Sequence, residues 1–111
     1  MSLTAHLIYF SPTGTTRKIT TSIARGLGAS RVVDYDVTLP GPSIETELND
    51  GIAIIGIPVY AGRVPELCLQ RMQSFTATGL PCVLVALYGN REYEDALVEL
   101  CDFTTGQGFR V

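Results

Sequence analysis

Residues 51–57, GIAIIGI, constrain the fold more than any other part of this sequence. The segment has the length of a β-strand and is apolar throughout, so both of its faces should be buried. A strand with one solvated face alternates apolar and polar residues, whereas a strand covered by helices on both sides does not. The segment therefore predicts a central parallel strand with helices on each face.

Apolar runs of strand length alternate with helical stripes along the whole chain. Strands are predicted at residues 3–10, 31–37, 51–57, 82–87 and 109–111. Apolar residues recur at helical spacing at Ile19, Ile23, Ala24 and Leu27, then at Val64, Leu67, Cys68, Met72 and Phe75, and finally at Tyr93, Ala96, Leu97, Leu100 and Cys101. Residues 39–50, which contain Pro40, Gly41 and Pro42, are expected to form a loop with at most one or two helical turns.

This order of elements predicts an α/β fold in which three helices pack on a parallel five-stranded sheet. Helices must cover both faces of such a sheet, and three are about one too few. We therefore expect residues 1–111 to be one domain that lacks its final crossover helix. Either these residues are a piece of a longer protein, or a partner subunit, for example a second copy in a homodimer, covers the bare sheet face.

The composition narrows the classes of function. With 46% hydrophobic and 17% charged residues, a chain of 111 residues is typical of one globular domain. Eleven acids against eight bases give a net charge of −3, which argues against nucleic acid or an anionic membrane as the partner. No apolar run approaches the roughly 18 residues of a membrane span and no leader is recognisable, so a cytoplasmic location is expected.

The cysteines and the single histidine do not suggest a metal centre. Cys68, Cys82 and Cys101 are widely spaced among apolar neighbours, and no C-x-x-C pair is present, so buried free thiols are expected. His6 lies inside the first apolar run without a second ligand at metal-binding spacing. We therefore interpret His6 as a strand residue.

The loop after the first strand, SPTGTT at residues 11–16, has more hydroxyl groups than a turn requires. Ser11, Thr13, Thr15 and Thr16 surround Gly14 and lead directly into a predicted helix. A helix amino terminus attracts anions, glycine allows close approach of the backbone, and hydroxyls donate hydrogen bonds. The alternative is an ordinary helix cap, but one hydroxyl suffices for that. The loop is neither G-x-G-x-x-G nor G-x-x-x-x-G-K-[ST], so a phosphate monoester is favoured over a dinucleotide or nucleoside triphosphate.

Two further loops follow the next strands of the predicted sheet and contain aromatic rings. Tyr60, Ala61 and Gly62 follow the central strand, and the segment after residue 87 contains Tyr88, Gly89, Asn90 and Tyr93. Ligands of parallel sheets bind beyond the carboxyl ends of the strands, where the strand order reverses. Two tyrosine-bearing loops beside a phosphate loop could hold a flat ring system between them. Tyr93 also fits the apolar stripe of its helix, so a core position is the alternative.

SPTGTT resembles the phosphate fingerprint of flavodoxins, [ST]-x-T-G-x-T, and the similarity extends over nearly the whole chain. The resemblance implies a flavodoxin-like three-layer sandwich with strand order 2-1-3-4-5 and bound flavin mononucleotide (FMN). It implies phosphate contacts from the loop residues Ser11, Thr13, Gly14, Thr15 and Thr16. It also implies ring contacts from Tyr60, Ala61, Gly62, Gly89, Asn90, Arg91 and Tyr93.

The resemblance implies an electron carrier that passes single electrons through FMN to a redox protein, such as an iron–sulfur domain. No side chain would then act as acid, base or nucleophile, because the flavin carries the chemistry. Two alternatives remain open at this point: an NAD(P)H-dependent FMN or quinone reductase, and a flavodoxin fold that has lost its flavin.

Overall fold

The computed structural model describes residues 3–11, 14–38, 45–58, 66–87 and 94–111, which form seven strands and three helices. In chain order these elements are β1 (Thr4–Tyr9), α1 (Thr15–Gly26), β2 (Arg31–Asp36), β3 (Thr46–Leu48), β4 (Ile52–Pro58), α2 (Glu66–Met72), β5 (Phe75–Ala77), β6 (Leu80–Leu87), α3 (Glu94–Gly106) and β7 (Phe109–Arg110).

Five of the strands form one parallel sheet, which confirms the predicted α/β class. Their order is β2-β1-β4-β6-β7, and β3 pairs with β5 in a separate two-stranded parallel sheet. The observed order 2-1-4-6-7 differs in number from the predicted 2-1-3-4-5, because β3 and β5 were not predicted. The five strands that were predicted lie in the predicted order. Since β1 lies between β2 and β4, the chain proceeds first to one side of β1 and then to the other.

The two unpredicted strands correct two sequence expectations. Thr46–Leu48 falls in the segment that was expected to be a loop, and Phe75 was assigned to a helix but begins β5. Each of these strands has only three residues, which is too short to show an alternating pattern. Their pairing, from Thr46 opposite Phe75 to Leu48 opposite Ala77, is a long-range contact that local sequence does not encode.

The central strand β4 is buried on both faces, as predicted. Ile54 packs on the α1 side of the sheet, whereas Ile55 belongs to the core on the opposite side. The α1 side also buries Ala5, Leu7, Tyr9 and Ala24. The opposite side is larger and contains buried residues of α2, α3, β3 and β5, namely Cys68, Met72, Leu100, Leu48 and Phe75. Helices therefore lie on both faces of the sheet.

Helix α1 uses a stripe of small residues to pack on the sheet. Its buried residues are Thr16, Thr20 and Ala24, at spacings of four, while Leu27 of the predicted apolar stripe is 44% exposed. The helix ends in a Schellman motif, in which the N–H of Gly28 donates to the carbonyl of Arg25 and that of Ala29 to the carbonyl of Ala24. Gly28 has φ 73°, the left-handed conformation this motif requires.

His6 and two of the three cysteines are buried, as predicted. His6 is a buried strand residue, as predicted, and its Nε2 donates to the carbonyl oxygen of Asp50 at 2.9 Å. Cys68 and Cys82 are buried free thiols, whereas Cys101 is only half-buried.

The α1 face of the sheet is covered by less helix than the opposite face. Among the described residues, the helical side chains packed on this face come from α1 alone, and Val83 and Val85 of β6 are half-buried there. None of the three helices in the described part of the chain has the length and apolar content that a membrane crossing requires.

Candidate functional site

The carboxyl ends of β1, β4 and β6 lie side by side at one edge of the sheet. In the strand register Tyr9 is opposite Gly56, and Pro58 is opposite Leu87. Beyond the last paired residues of β1 and β4, the N–H of Phe10 donates to the carbonyl of Gly56 at 3.1 Å. The three segments predicted to form the site are residues 11–16, 58–65 and 88–93, and each lies at or directly after one of these strand ends in the chain.

This edge is also the point at which the strand order reverses. The chain leaves β1 through α1 toward β2, and leaves β4 through α2 toward β6 on the other side. Connections that diverge in this way open a crevice between the two strands, where open parallel sheets bind ligands. The topology therefore puts the start of α1 at the position expected for a site.

Four predicted site residues lie in the described part of the chain: Ser11, Gly14, Thr15 and Thr16. The others fall outside the described residues, namely Thr13, Tyr60, Ala61, Gly62, Gly89, Asn90, Arg91 and Tyr93.

Ser11 is held at both its backbone and its side chain. Its N–H donates to Thr38 Oγ1 at 2.7 Å, and its carbonyl accepts the N–H of Gly14 at 3.2 Å. Its Oγ accepts the N–H of Arg17 in the first turn of α1 at 3.1 Å. From a position before the N-cap, Ser11 therefore satisfies one free N–H in the first turn of α1, which is the role that the alternative interpretation of the loop gave to a single hydroxyl. A serine hydroxyl that accepts one bond still has its proton to donate, so capping is compatible with ligand binding.

Gly14 is the N-cap residue of α1 and has no side chain with which to cap the helix. Its φ of 84° is left-handed, and a Cβ built there would meet no atom of the described residues within 4 Å, apart from its chain neighbours. The first turn of α1 contains no acid, while Arg17 and Lys18 are exposed. The helix dipole and these two cations all favour an anion next to Gly14.

The two threonines after Gly14 have different environments. Thr15 is exposed, whereas Thr16 is 3% exposed and directs its methyl group at Gly56 of β4. Thr20, one turn later, packs on Gly56 in the same way, and its hydroxyl donates to the carbonyl of Arg17 at 3.0 Å. Thr16 therefore has a packing role that sequence reasoning missed. The signal for it was a glycine inside a buried strand, which often marks close approach of another backbone.

Tyr9 is a neutral phenol near this edge. Burial raises the pKa of Tyr9, the carboxylates of Asp34 and Asp36 raise it further, and the guanidinium of Arg17 opposes them. Tyr9 therefore keeps its proton at physiological pH and does not act as a base there. Among the described residues, no three potential metal-ligating side chains lie together.

Comparison of the chain with protein-family models, with curated proteins and with solved structures gives no match. The structure by itself defines an α/β protein with a parallel five-stranded sheet and an anion-attracting helix start at the point where strand order reverses.

Proposed function

We propose that this protein is a flavodoxin-like electron carrier that binds FMN at the carboxyl edge of its sheet. The observation that carries the proposal is the start of α1 after β1. There a left-handed glycine, with no atom of the described residues close to where its Cβ would lie, opens a helix whose first turn has two cations and no acid. The negative charge of a phosphate group complements this positively charged helix start. The resemblance of SPTGTT to the flavodoxin fingerprint supports FMN as the molecule that carries the phosphate.

The described residues have donors of the kind that a phosphate needs. In our proposal the Ser11 hydroxyl donates its remaining proton, Gly14 and Thr16 contribute backbone groups, and the exposed Thr15 contributes its side chain. Thr13 completes this loop, and Tyr60, Ala61, Gly62, Gly89, Asn90, Arg91 and Tyr93 hold the ring system.

The protein's own residues have binding and tuning roles in this proposal. Bound FMN would supply the single-electron chemistry, so no side chain of this chain needs to act as acid, base or nucleophile. The phosphate loop would anchor the cofactor, while Tyr60 and Tyr93 would cover its ring and exclude water from it.

The proposal extends to partners and location. An electron carrier needs a redox protein with which to exchange electrons, and an iron–sulfur domain in the cytoplasm is the partner we propose. The half-buried Val83 and Val85 on the less covered sheet face support self-association as a homodimer.

FMN titration monitored by flavin fluorescence tests the proposal. Wild-type protein should bind FMN, whereas Gly14→Val should weaken binding at least about tenfold, because a branched side chain would occupy the space where the phosphate sits. Gly28→Val is the matched control, since Gly28 also has positive φ and open space but lies at the other end of α1.

A second pair of variants examines the hydroxyl groups. Thr15→Ala should weaken FMN binding, whereas Ser22→Ala, at an exposed position of the same helix, should not. Absence of FMN binding by wild-type protein, or equal affinity in Gly14→Val, Thr15→Ala and their controls, would refute the phosphate assignment. Steady-state turnover with NAD(P)H and a quinone would instead indicate the reductase.

A further inference from the structure

Arg71 of α2 joins the ends of two neighbouring strands. Its Nη1 donates to the carbonyl oxygen of Val37 at 3.1 Å and also to that of Thr38. Its guanidinium carbon lies 5.7 Å from the centre of the Phe10 ring, a cation–π distance. Phe10 directly follows β1, and Val37 and Thr38 follow β2, so one half-buried side chain contacts both chain segments.

Thr38, which Arg71 holds, is hydrogen-bonded in turn to Ser11 at the start of the loop. The N–H of Thr38 donates to Asp36 Oδ1 at 2.9 Å, and its Oγ1 accepts the N–H of Ser11 at 2.7 Å. The Ser11 Oγ then accepts the N–H of Arg17. A continuous series of hydrogen bonds therefore runs from Arg71 through Thr38 and Ser11 to the first turn of α1.

We propose that Arg71 is a positioning residue for the phosphate loop, acting through Thr38 and Ser11. By holding Thr38 in place it fixes the backbone of Ser11 and the direction of the Ser11 hydroxyl. This inference rests on the proposed function, because the role that we assign to the positioned loop is selectivity for the phosphate of FMN. The hydrogen-bond series itself is a feature of the fold and does not depend on the proposed function.

The chemistry of the side chain explains why arginine suits this position. A guanidinium is always charged, donates in a fixed planar geometry and stacks on aromatic rings, whereas a lysine ammonium is a mobile point charge. Hydrogen bonds from a charged donor are also stronger than neutral ones. Among the described residues, no carboxylate forms an ion pair with Arg71. Its contacts are therefore with backbone carbonyls and a ring, and these place it beside the loop.

Amide hydrogen exchange measured by NMR on the ligand-free protein tests the positioning step. Arg71→Met and Thr38→Val should each accelerate exchange of the Ser11 and Arg17 amides about tenfold, since each weakens the same series of bonds. The Ala29 amide, which donates within the Schellman motif at the other end of α1, is the internal control and should not change. Thr38→Ser keeps the hydroxyl and should restore the slow exchange.

Comparison of FMN with riboflavin then tests the link to the phosphate. The two ligands share the ring system and differ in the phosphate, so the ratio of their dissociation constants isolates phosphate selectivity. Arg71→Met and Thr38→Val should reduce the preference for FMN about tenfold and leave riboflavin affinity unchanged. Arg71→Lys should recover only part of the preference. Arg25→Met, which removes a charge from the last turn of α1, should have no effect.

The outcomes separate the inference from the proposed function. Unchanged exchange at Ser11 and Arg17 in both variants would overturn the positioning role, whatever the protein binds. Faster exchange with an unchanged FMN preference would overturn the link to the phosphate. A wild-type protein that binds neither flavin would refute the proposed function, while the exchange data would still decide the role of Arg71. If Arg71→Met does not fold, Arg71→Lys, which keeps the charge and loses the planar donor geometry, gives the decision at the same two amides.

Discussion

Gly56 of β4 lies directly under Thr16 of α1. A Cβ atom built on Gly56 would come within 2.6 Å of the Thr16 methyl carbon and within 2.7 Å of that of Thr20. Real Cβ atoms do not approach other carbon atoms so closely, so this contact requires glycine. It sets how near the start of α1 sits to the central strand, and therefore the position of the proposed phosphate site.

Gly56→Ala should destabilise the protein by about 1–3 kcal/mol, because the added methyl group overpacks a filled contact. The threonine methyl groups have little freedom to move away, since β-branched side chains are restricted at χ1. Urea unfolding followed by circular dichroism measures the loss. The same variant should also weaken FMN binding, because α1 must shift at its first turn.

A rescue variant makes the Gly56 prediction specific. Thr16→Ser and Thr20→Ser remove the two methyl groups, so Gly56→Ala combined with both should recover most of the lost stability. If the combined variant is no more stable than Gly56→Ala alone, the clash is not the cause.

The main sheet could be predicted because its strands carry their own pattern. The segment around β4 is apolar throughout, and Ile19, Ile23 and Ala24 recur at helical spacing in α1, so both elements are visible in local sequence. The threonines that pack α1 on the sheet are not visible in this way. β3 and β5 could not be predicted, because three residues such as Thr46–Leu48 become a strand only through pairing with Phe75–Ala77. A single apolar residue such as Leu48 fits a loop as well as a short strand, so it does not distinguish the two.

The candidate site could likewise be predicted only where its residues are contiguous in the sequence. The hydroxyl-rich loop and Gly14 stand out in the sequence, since they are contiguous and lie between a strand and a helix. The packing of Thr16 on Gly56 and the bonds that join Arg71, Thr38 and Ser11 depend on residues far apart in the chain. No local pattern distinguishes Arg71 from any other arginine on a helix, so its contacts become apparent only in the folded protein.

The three thiols should differ in their reactivity toward iodoacetamide. Burial raises the pKa of Cys68 and of Cys82 to about 12, so both are protonated and shielded in the folded protein. Mass spectrometry after mild alkylation at pH 8 should therefore find Cys101 modified first. All three should react once the protein is unfolded in urea. Early modification of Cys68 or Cys82 under native conditions would contradict the burial of these side chains.

The buried thiols also predict a loss of stability at alkaline pH. In the unfolded chain both thiols have the ordinary pKa of about 9.0, whereas in the folded protein burial raises their pKa to about 12. Between these values the unfolded state binds fewer protons than the folded state, so the free energy of unfolding decreases as pH rises. Each thiol contributes a slope of at most about 1.4 kcal/mol per pH unit.

Urea unfolding between pH 8 and pH 11, under reducing conditions, measures this slope. Cys68→Ala and Cys82→Ala should each make it shallower, and Val98→Ala, at a position that is 60% exposed, should leave it unchanged. The raised pKa values of Tyr9 and Tyr35 add to the slope in the same direction, so the double cysteine variant should retain part of it. An unchanged slope in the double variant would assign the alkaline effect to the tyrosines alone.

Gly108 and Gly79 provide a matched test of how the chain joins its two sheets. Both have positive φ, 104° and 70°, but a Cβ on Gly108 would lie 1.6 Å from the carbonyl oxygen of Ala77, whereas one on Gly79 would meet nothing within 4 Å. Gly79→Ala should therefore cost only the strain of the left-handed backbone, about 1–2 kcal/mol. Gly108→Ala must also break the close approach of two backbones and should cost at least about 3 kcal/mol.

Gly108→Ala should cost more stability because the close approach of the backbones at Gly108 and Ala77 maintains two hydrogen bonds. The N–H of Ala77 donates to the carbonyl of Gln107 at 2.9 Å, and the N–H of Gly79 donates to that of Gly108 at 2.7 Å. Separation of the backbones at Gly108 would break these bonds and detach β7 from β6, where the two strands pair only at Leu80 and Pro81. Thermal unfolding of the two variants side by side measures the difference. Equal melting temperatures would mean that the turn before β7 yields without cost, and that β7 contributes little to the stability of the sheet.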